Sequence, residues 1–427
     1  MARTTLILLL SYACASMAET VTLTLREAVD LALKQNSEIV LARFDEQRAE
    51  QAVRLAKAPF VPTVLVGSGL AYSSGFPMSI EGATPSILQA QAVSHVFNRS
   101  QSYRVAAAQE LRRAASLDSA GRRDEVAYRT ADLYLQARTA AQGAEVVRQE
   151  IGGLERVLET VRLRVSEGRE LPVEGKRAEL GVARARYRLQ VLESNRQDAE
   201  SALSAVLGLP PEDRVETVET AWPEPPLPDS PEAAVKAALE NNRELRVLES
   251  HLIAKGLDVR AERAARLPQV DLVAQYGLLA RFNNYEDFFR KFQRHNGQLG
   301  VSFQVPVFTS PAVNAGAQRA EAEAAQIRTR MRNLRSSLAA DARRAFGDLD
   351  EARAAVEVAR LDLEVARDQV SVLLAQMQEG RAALRQVQDG RTIETEKWIA
   401  WYEAGAALER ARLALLRITG SLTAALQ

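Results

Sequence analysis

The sequence predicts a mainly α-helical protein with a small β part, built from two copies of one large unit. Three observations predict it. First, Ala28–Glu38 (AVDLALKQNSE) and Ala234–Glu244 (AVKAALENNRE) lie 206 residues apart, and the same offset carries Pro62 onto Pro268. Gly168 and Gly380 lie 212 apart, as do Gly208 and Gly420. A period near 210 far exceeds the roughly 20–50 residues of solenoid repeats, so it marks duplication of a whole unit. Second, Val126, Thr130, Leu133, Ala137, Ala140, Ala144, Val147, Ile151, Leu154, Leu158, Val161 and Val165 alternate spacings of 4 and 3. That is a heptad seam, and Val356, Ala359, Leu363, Ala366, Val370, Leu373 and Met377 repeat its second half 212 residues later. Third, charged residues make up 26% and aromatics only 5% of the 427 residues, a composition of long helices rather than of an aromatic-rich globular core.

Residues 1–18 read as a signal peptide. Arg3 supplies the basic start, Leu6–Leu10 the short apolar stretch, and Ser16-Met17-Ala18 the small-residue cleavage site. The single cysteine, Cys14, falls inside this segment. It is either removed with the leader or retained as an acylated N-terminus. Either way the body offers no disulfide and no thiolate metal site. No later stretch approaches the roughly 18 uninterrupted apolar residues of a membrane-spanning helix.

The first repeat, 19–208, opens with a helix over Thr24–Lys57. Thr24 and Glu27 have the spacing of a capping box, and Pro59 and Pro62 end the helix. Thr63–Tyr72 alternates small and β-branched residues as a strand does, 73–85 is a loop rich in Gly, Ser and Pro, and Ile87–Phe97 reads as a second strand. The second repeat, 231–427, matches it. Ser230-Pro231-Glu232 starts a helix that Pro268 ends, Val270–Leu279 is a strand, Phe282–His295 a loop, and Gln298–Phe308 a strand. Phe288, Phe289 and Phe292 give that loop an aromatic cluster. Each strand has roughly the 9–11 residues that a transmembrane β-strand needs. Four strands cannot close a barrel, and open edges are not tolerated in lipid, so membrane-spanning strands would have to be pooled from several chains.

A helix over Ser100–Glu167 would span roughly 100 Å at 1.5 Å per residue. Gly168 and Pro172 break it, and a return helix runs to Gly208 through Val182, Ala185, Leu189, Leu192, Ala199, Leu203 and Val206. Each repeat thus holds a long helical hairpin with its tip at Gly168 or Gly380. Residues 209–230, with Trp222-Pro-Glu-Pro-Pro-Leu-Pro, read as a proline-rich linker.

Function classes narrow accordingly. With 55 basic and 55 acidic residues, the chain lacks the basic excess of a nucleic-acid binder. His95, His251 and His295 have no metal-ligand spacing, and no phosphate loop or nucleophile elbow occurs. The expectation is no enzyme, no cofactor and no metal. A soluble periplasmic coiled-coil scaffold remains the alternative to a membrane protein.

Taken in order, these pieces resemble the TolC-like outer-membrane efflux protein family across the mature chain. The matching residues are LREAVDLALKQN and PEAAVKAALENN at the repeat heads, VSFQVPVF before the second long helix, the Gly168 and Gly380 tips, and the closing Leu207-Gly208 and Thr419-Gly420. The resemblance implies a homotrimer in the outer membrane of a Gram-negative cell. Three chains would form a twelve-stranded β-barrel in the lipid and an α-barrel in the periplasm. Such a trimer is a passive exit duct of a tripartite efflux or type I secretion system, engaged by a periplasmic adaptor and an inner-membrane transporter. The resemblance also assigns a gate to Gln386 and Asp389, just past the second tip. It assigns adaptor contact to Gly168, Arg169 and Leu171 and to Gly380, Arg381 and Leu384. The alternatives are that Asp389 is a solvated helix-face residue followed by a flexible Gly390, and that Arg169 and Arg381 only meet helix C-terminal carbonyls.

Overall fold

The computed structural model describes residues 20–69, 86–210, 212–218, 226–280, 290, 293–307 and 311–426. The leader with Cys14, the 73–85 loop, Trp222, and Phe288, Phe289 and Phe292 lie outside the described residues. The chain divides into two compact units, each assembled from both repeats: one comprises Leu41–Gly121 and Arg243–Ser336, the other Met1–Val40, Arg122–Asn242 and Ser337–Gln427.

The first of these units contains a four-stranded antiparallel sheet of β2 (Thr63–Gly69), β3 (Ser86–Phe97), β5 (Gln269–Leu279) and β6 (His295–Gln304), in the order β2-β3-β5-β6. β6 begins three residues before its predicted start and ends four before its predicted finish. Gln304 is the last residue to find a partner, Gln269, and Pro306 has no N–H to extend the ladder.

The two helical hairpins begin in this unit, with residues 99–121 and 311–336, and the rest of each, tip and return helix included, belongs to the other. Helix α3 runs Arg99–Ser166 and α4 Pro172–Leu207; in the second repeat α7 runs Pro311–Gln378 and α8 Leu384–Ile418. Both long helices have 68 residues, a length of roughly 100 Å. The predicted seam is buried at Thr130, Ala137, Ala140, Ala144 and Val147 in α3, and at Leu363, Ala366 and Val370 in α7. Gly390 is helical and buried: a Cβ there would lie 2.9 Å from Leu373 Cδ1, so the glycine lets α7 and α8 approach closely.

Each opening helix, predicted as one piece, is two. Helix α1 (Leu25–Gln35) and α2 (Ser37–Lys57) are separated by Asn36, and α5 (Pro231–Asn241) and α6 (Arg243–Ala264) by Asn242. Asn36 leaves the helical region (φ −59°, ψ 132°), as does Asn242 (φ −60°, ψ 123°). The Asn36 amide explains the break, because its Oδ1 accepts from Glu38 N (2.8 Å) and so caps α2. Its Nδ2 donates to Val206 O at the end of α4 (2.7 Å). Such local side-chain bonds compete with the helix ladder. The predicted capping box is present: Glu27 N donates to Thr24 Oγ1, and Thr24 N donates to the Glu27 carboxylate.

The predicted linker is not only a connection. Its residues Arg214–Thr217 form β4, which pairs in parallel with β1 (Thr20–Leu23). The buried Tyr134 hydroxyl lies between the ends of the two strands, 3.0 Å from Leu23 O and 2.6 Å from Val218 O. Burial pushes this phenol above its ordinary value. Around it Val29, Leu33, Ile39, Val126, Leu203, Leu207, Leu413 and Leu416 form one core, closed by Leu422 and Leu426 of the terminal helix α9 (Leu422–Leu426).

Candidate functional site

Register sorts the sheet into two chemically different faces, because residues paired across an antiparallel ladder project to the same side. One face carries the rows Val64–Ala92–Ala274–Leu299 and Val66–Ala90–Tyr276–Gly297, then Ser94–Leu272–Val301 and Val270–Phe303. It is almost wholly apolar, and it is uncovered in the single chain: Leu299 is 78%, Val301 67% and Phe303 65% exposed. The opposite face carries Leu65–Gln91–Gln275–Gln298, Gly67–Gln89–Gly277–Asn296, the apolar row Thr63–Val93–Val273–Gly300, His95–Asp271–Ser302 and Gln269–Gln304. Amides are its commonest side chains, and across it His95 Nδ1 lies in hydrogen-bond contact with Asp271 Oδ1 at 2.5 Å. The outer strands β2 and β6 are each paired on one side only.

The hairpin tips share one backbone geometry. Gly168 (φ 71°) and Gly380 (φ 73°) adopt the left-handed conformation that glycine permits. Arg169 N donates to Arg164 O, and Arg381 N to Gln376 O, which closes a Schellman cap on each long helix. Each tip arginine pairs with the glutamate two residues before it, Arg169 with Glu167 and Arg381 with Glu379, both at 3.2 Å. Leu171 is exposed at the N-cap of α4. Leu384 is instead the first residue of α8 and half-buried, so the two leucines are not equivalent positions.

The two gate residues differ in what they do. Gln386 Oε1 accepts from Ala383 N at 2.9 Å, which caps the start of α8. The Asp389 side chain is 69% exposed, with Arg385 Nε 3.8 Å away; such an exposed pair contributes roughly 0–1 kcal/mol.

Ionic cross-links distribute unequally between the hairpins. α3 and α4 are joined by Arg148–Glu193 (3.0 Å), Arg162–Glu179 (2.8 Å), Arg186–Glu155 (2.5 Å) and Arg188–Glu150 (3.5 Å). Across α7 and α8 the corresponding pair among the described residues is Lys397–Asp362 at 2.5 Å. The hairpins are linked to each other by Arg410–Asp132 (3.1 Å) and Arg417–Glu125 (3.2 Å) and by a network in which Thr392 Oγ1 donates to Glu150 Oε1 (2.9 Å) and Arg188 reaches Glu396 (3.4 Å) as well as Glu150. In the sequence the Glu150 network shows only as a carboxylate beside the seam position Ile151.

The Glu150 side chain is only 4% exposed, and burial raises its pKa above the ordinary 4.5 against the opposing pull of Thr392 and Arg188. A carboxyl whose folded-state value is raised holds its proton more tightly when folded. Its linked stability is therefore full below 4.5 and declines as pH rises through the folded value. Glu150→Gln cannot ionise and keeps an oxygen for Thr392. The melting temperature of the wild type relative to this variant is expected to fall over the range in which pH rises above 4.5, in parallel calorimetric scans. An unchanged difference across that range would contradict the assignment.

Comparison with known proteins agrees with this geometry. The chain resembles the pyoverdine export outer membrane protein OpmQ of Pseudomonas putida, 26% identical over 222 residues, which cover 52% of this chain and 44% of OpmQ. It resembles the outer membrane efflux protein BepC of Brucella suis, 22% identical over 403 residues, 94% of this chain and 86% of BepC. Among solved structures, the CmeC outer membrane channel of Campylobacter jejuni superposes with a TM-score of 0.78 at 14% identity, covering 93% of this chain and 86% of that one, a likeness of fold. The family model for outer membrane efflux proteins matches residues 28–209 and again 234–427. With both halves matched, the chain belongs to the outer membrane efflux protein family.

Proposed function

We propose that three copies of this chain form a passive exit duct through the outer membrane, open to substrates delivered by an inner-membrane transporter through a periplasmic adaptor. The observation that carries this reading is the sheet. It has one exposed apolar face, one amide-lined face and two open edges. An apolar face of that extent is stable against lipid, amides suit a water-filled lumen, and closure with two further copies satisfies both edges. A soluble scaffold would leave the apolar face in water. Family and fold are those of channel proteins rather than enzymes. OpmQ is a pyoverdine export protein and BepC an efflux protein; by analogy the cargo here is a small molecule passed on by a transporter.

Within this reading, residues 1–18 are the leader, 19–208 and 231–427 the two repeats, and 209–230 their connection. The tips, with Gly168, Arg169, Leu171, Gly380, Arg381 and Leu384, meet the adaptor. Asp389 provides a threefold carboxylate ring at the periplasmic entrance, and Gln386 holds the helix start that positions it.

Single-channel recording in planar bilayers tests the gate. Asp389→Ala is expected to lower cation preference by roughly two-fold or more and to enlarge the steps, because the carboxylates supply the field at the constriction. Channels identical to wild type would move the gate elsewhere.

A further inference from the structure

We propose that α7 of one copy packs along α4 of the next, antiparallel and in one fixed register, and takes there the place that α3 takes within the chain. The inference rests on the trimeric reading above and adds which helix faces meet. Within the chain, α3 lies over the second hairpin and closes a groove lined by Val370 of α7 and by Arg391, Thr395, Trp398 and Tyr402 of α8. The positions 212 earlier, Leu158, Glu179, Ala183, Arg186 and Gln190, line the equivalent groove of about 1000 Å³ on the first hairpin. The lining of that groove belongs to α3 and α4 alone, whereas three helices line the other.

Four contacts fix how α3 runs along α8. They are Glu125–Arg417 at 3.2 Å, Asp132–Arg410 at 3.1 Å, Glu150–Thr392 at 2.9 Å, and Gly143, where a Cβ would lie 3.9 Å from Ile399 Cγ1. In each pair the residue numbers add to 542, as they must for antiparallel helices in a constant register. A shift of 212 carries α3 onto α7 and α8 back onto α4, so the sum is preserved. Gly143–Ile399 becomes Ala355–Tyr187, Glu150–Thr392 becomes Asp362–Leu180, and Asp132–Arg410 becomes Arg344–Asp198. The side chains at these positions suit the transfer. Tyr187 is 71% exposed and would meet an exposed alanine, large on small as Ile399 meets Gly143. The ion pair is inverted in sign but still complementary; Asp198 is exposed, and Arg344 has only an exposed approach to Asp341 at 3.8 Å. Beside its buried seam of Leu363, Ala366 and Val370, α7 carries a second apolar stripe, Val358, Leu361 and Val365, which is exposed. That stripe is equivalent to Val146, Gln149 and Gly153, the α3 wall of the groove within the chain. A helix with two apolar stripes has two packing partners.

Crossed cysteine pairs test the register. In a Cys14→Ser chain, Tyr187→Cys with Ala355→Cys and Leu180→Cys with Asp362→Cys are the matched pairs. Tyr187→Cys with Asp362→Cys and Leu180→Cys with Ala355→Cys use the same four positions, displaced by seven residues or about 10 Å along the helix. Native membranes are treated with a bifunctional thiol reagent that spans roughly one helical turn, and the products are run on denaturing gels. The matched pairs are expected to join chains into covalent species of two and three copies at least roughly five-fold more than the crossed pairs. Unheated gels first establish that each variant is a trimer. If one substitution prevents assembly, the remaining matched pair and the crossed pair that lacks that substitution carry the comparison. Crossed pairs that join as well as matched ones would overturn the register. No joining by any pair, in protein that runs as a trimer, would leave the groove to the adaptor and overturn the proposal while the duct stands. A Cys14→Ser chain that never forms a trimer would overturn the duct reading and the proposal together.

Discussion

Leu299→Arg is expected to abolish recovery of the trimer in the outer membrane, whereas Gln298→Arg, one residue away, is expected to leave it intact. The two side chains lie on opposite faces of β6. Leu299 pairs with Ala274 in the apolar row, and Gln298 with Gln275 in the amide row. A guanidinium facing the bilayer midplane costs roughly 2–4 kcal/mol, and a trimer incurs this three times. On the amide face the same group remains in water, where it alters the lumen's charge instead of its stability. Fractionation of cell envelopes, followed by gels of unheated samples, distinguishes the two. Equal assembly of both variants would mean that the apolar face does not meet lipid.

Gly420→Ala is expected to lower the melting temperature more than Gly380→Ala, although the two glycines have the same backbone angle, φ 73°. Placing a Cβ in the left-handed region costs roughly 1–2 kcal/mol at either site. At Gly380 nothing lies within 4 Å of the new atom. At Gly420 it would lie 2.9 Å from Asn241 O and 3.2 Å from Asn241 Cβ, so backbone must move. Gly208 repeats the arrangement in the first copy, 3.1 Å from Gln35 O. Each of these glycines therefore closes a return helix against the residue before the Asn break, once per repeat. Thermal unfolding of the purified trimers ranks the two variants. Equal losses would show that the contact with Asn241 relaxes freely.

The long elements were legible because their signal is periodic and doubled. The heptad positions of α3 and α7 recur at one offset, and the tip glycines recur with them, so each repeat corroborates the other. Alternation in Gln269–Ala274 likewise announced the two faces of the sheet. The breaks at Asn36 and Asn242 were present as a repeated asparagine, yet helical periodicity continues on both sides and hides them. The kink depends on Val206, 170 residues away, which offers the carbonyl that Asn36 binds. β1 and β4 carry no sequence signal for the same reason: four-residue strands gain their stability from each other and from Tyr134, not from local pattern. Placement of Trp398 and Tyr402 on one helix face could be read from their spacing. Their position in a three-helix groove with Glu145 and Glu150 could not, because it depends on how the hairpins pack.

The account's central claim is that the open edges of the sheet, β2 and β6, pair with neighbouring copies to close a barrel. Disulfide trapping tests it most directly, because a body without cysteine gives no background. In a Cys14→Ser chain, Leu65→Cys on β2 is combined in turn with Gln298→Cys, Gly300→Cys or Ser302→Cys on β6, all on the amide face. Adjacent strands bring Cα atoms within disulfide range. The account predicts that at least one combination, oxidised in the native membrane, runs on denaturing non-reducing gels as a covalent species of three chains and no larger. Chains that remain single in every combination, while the unheated protein still runs as a trimer, would contradict it.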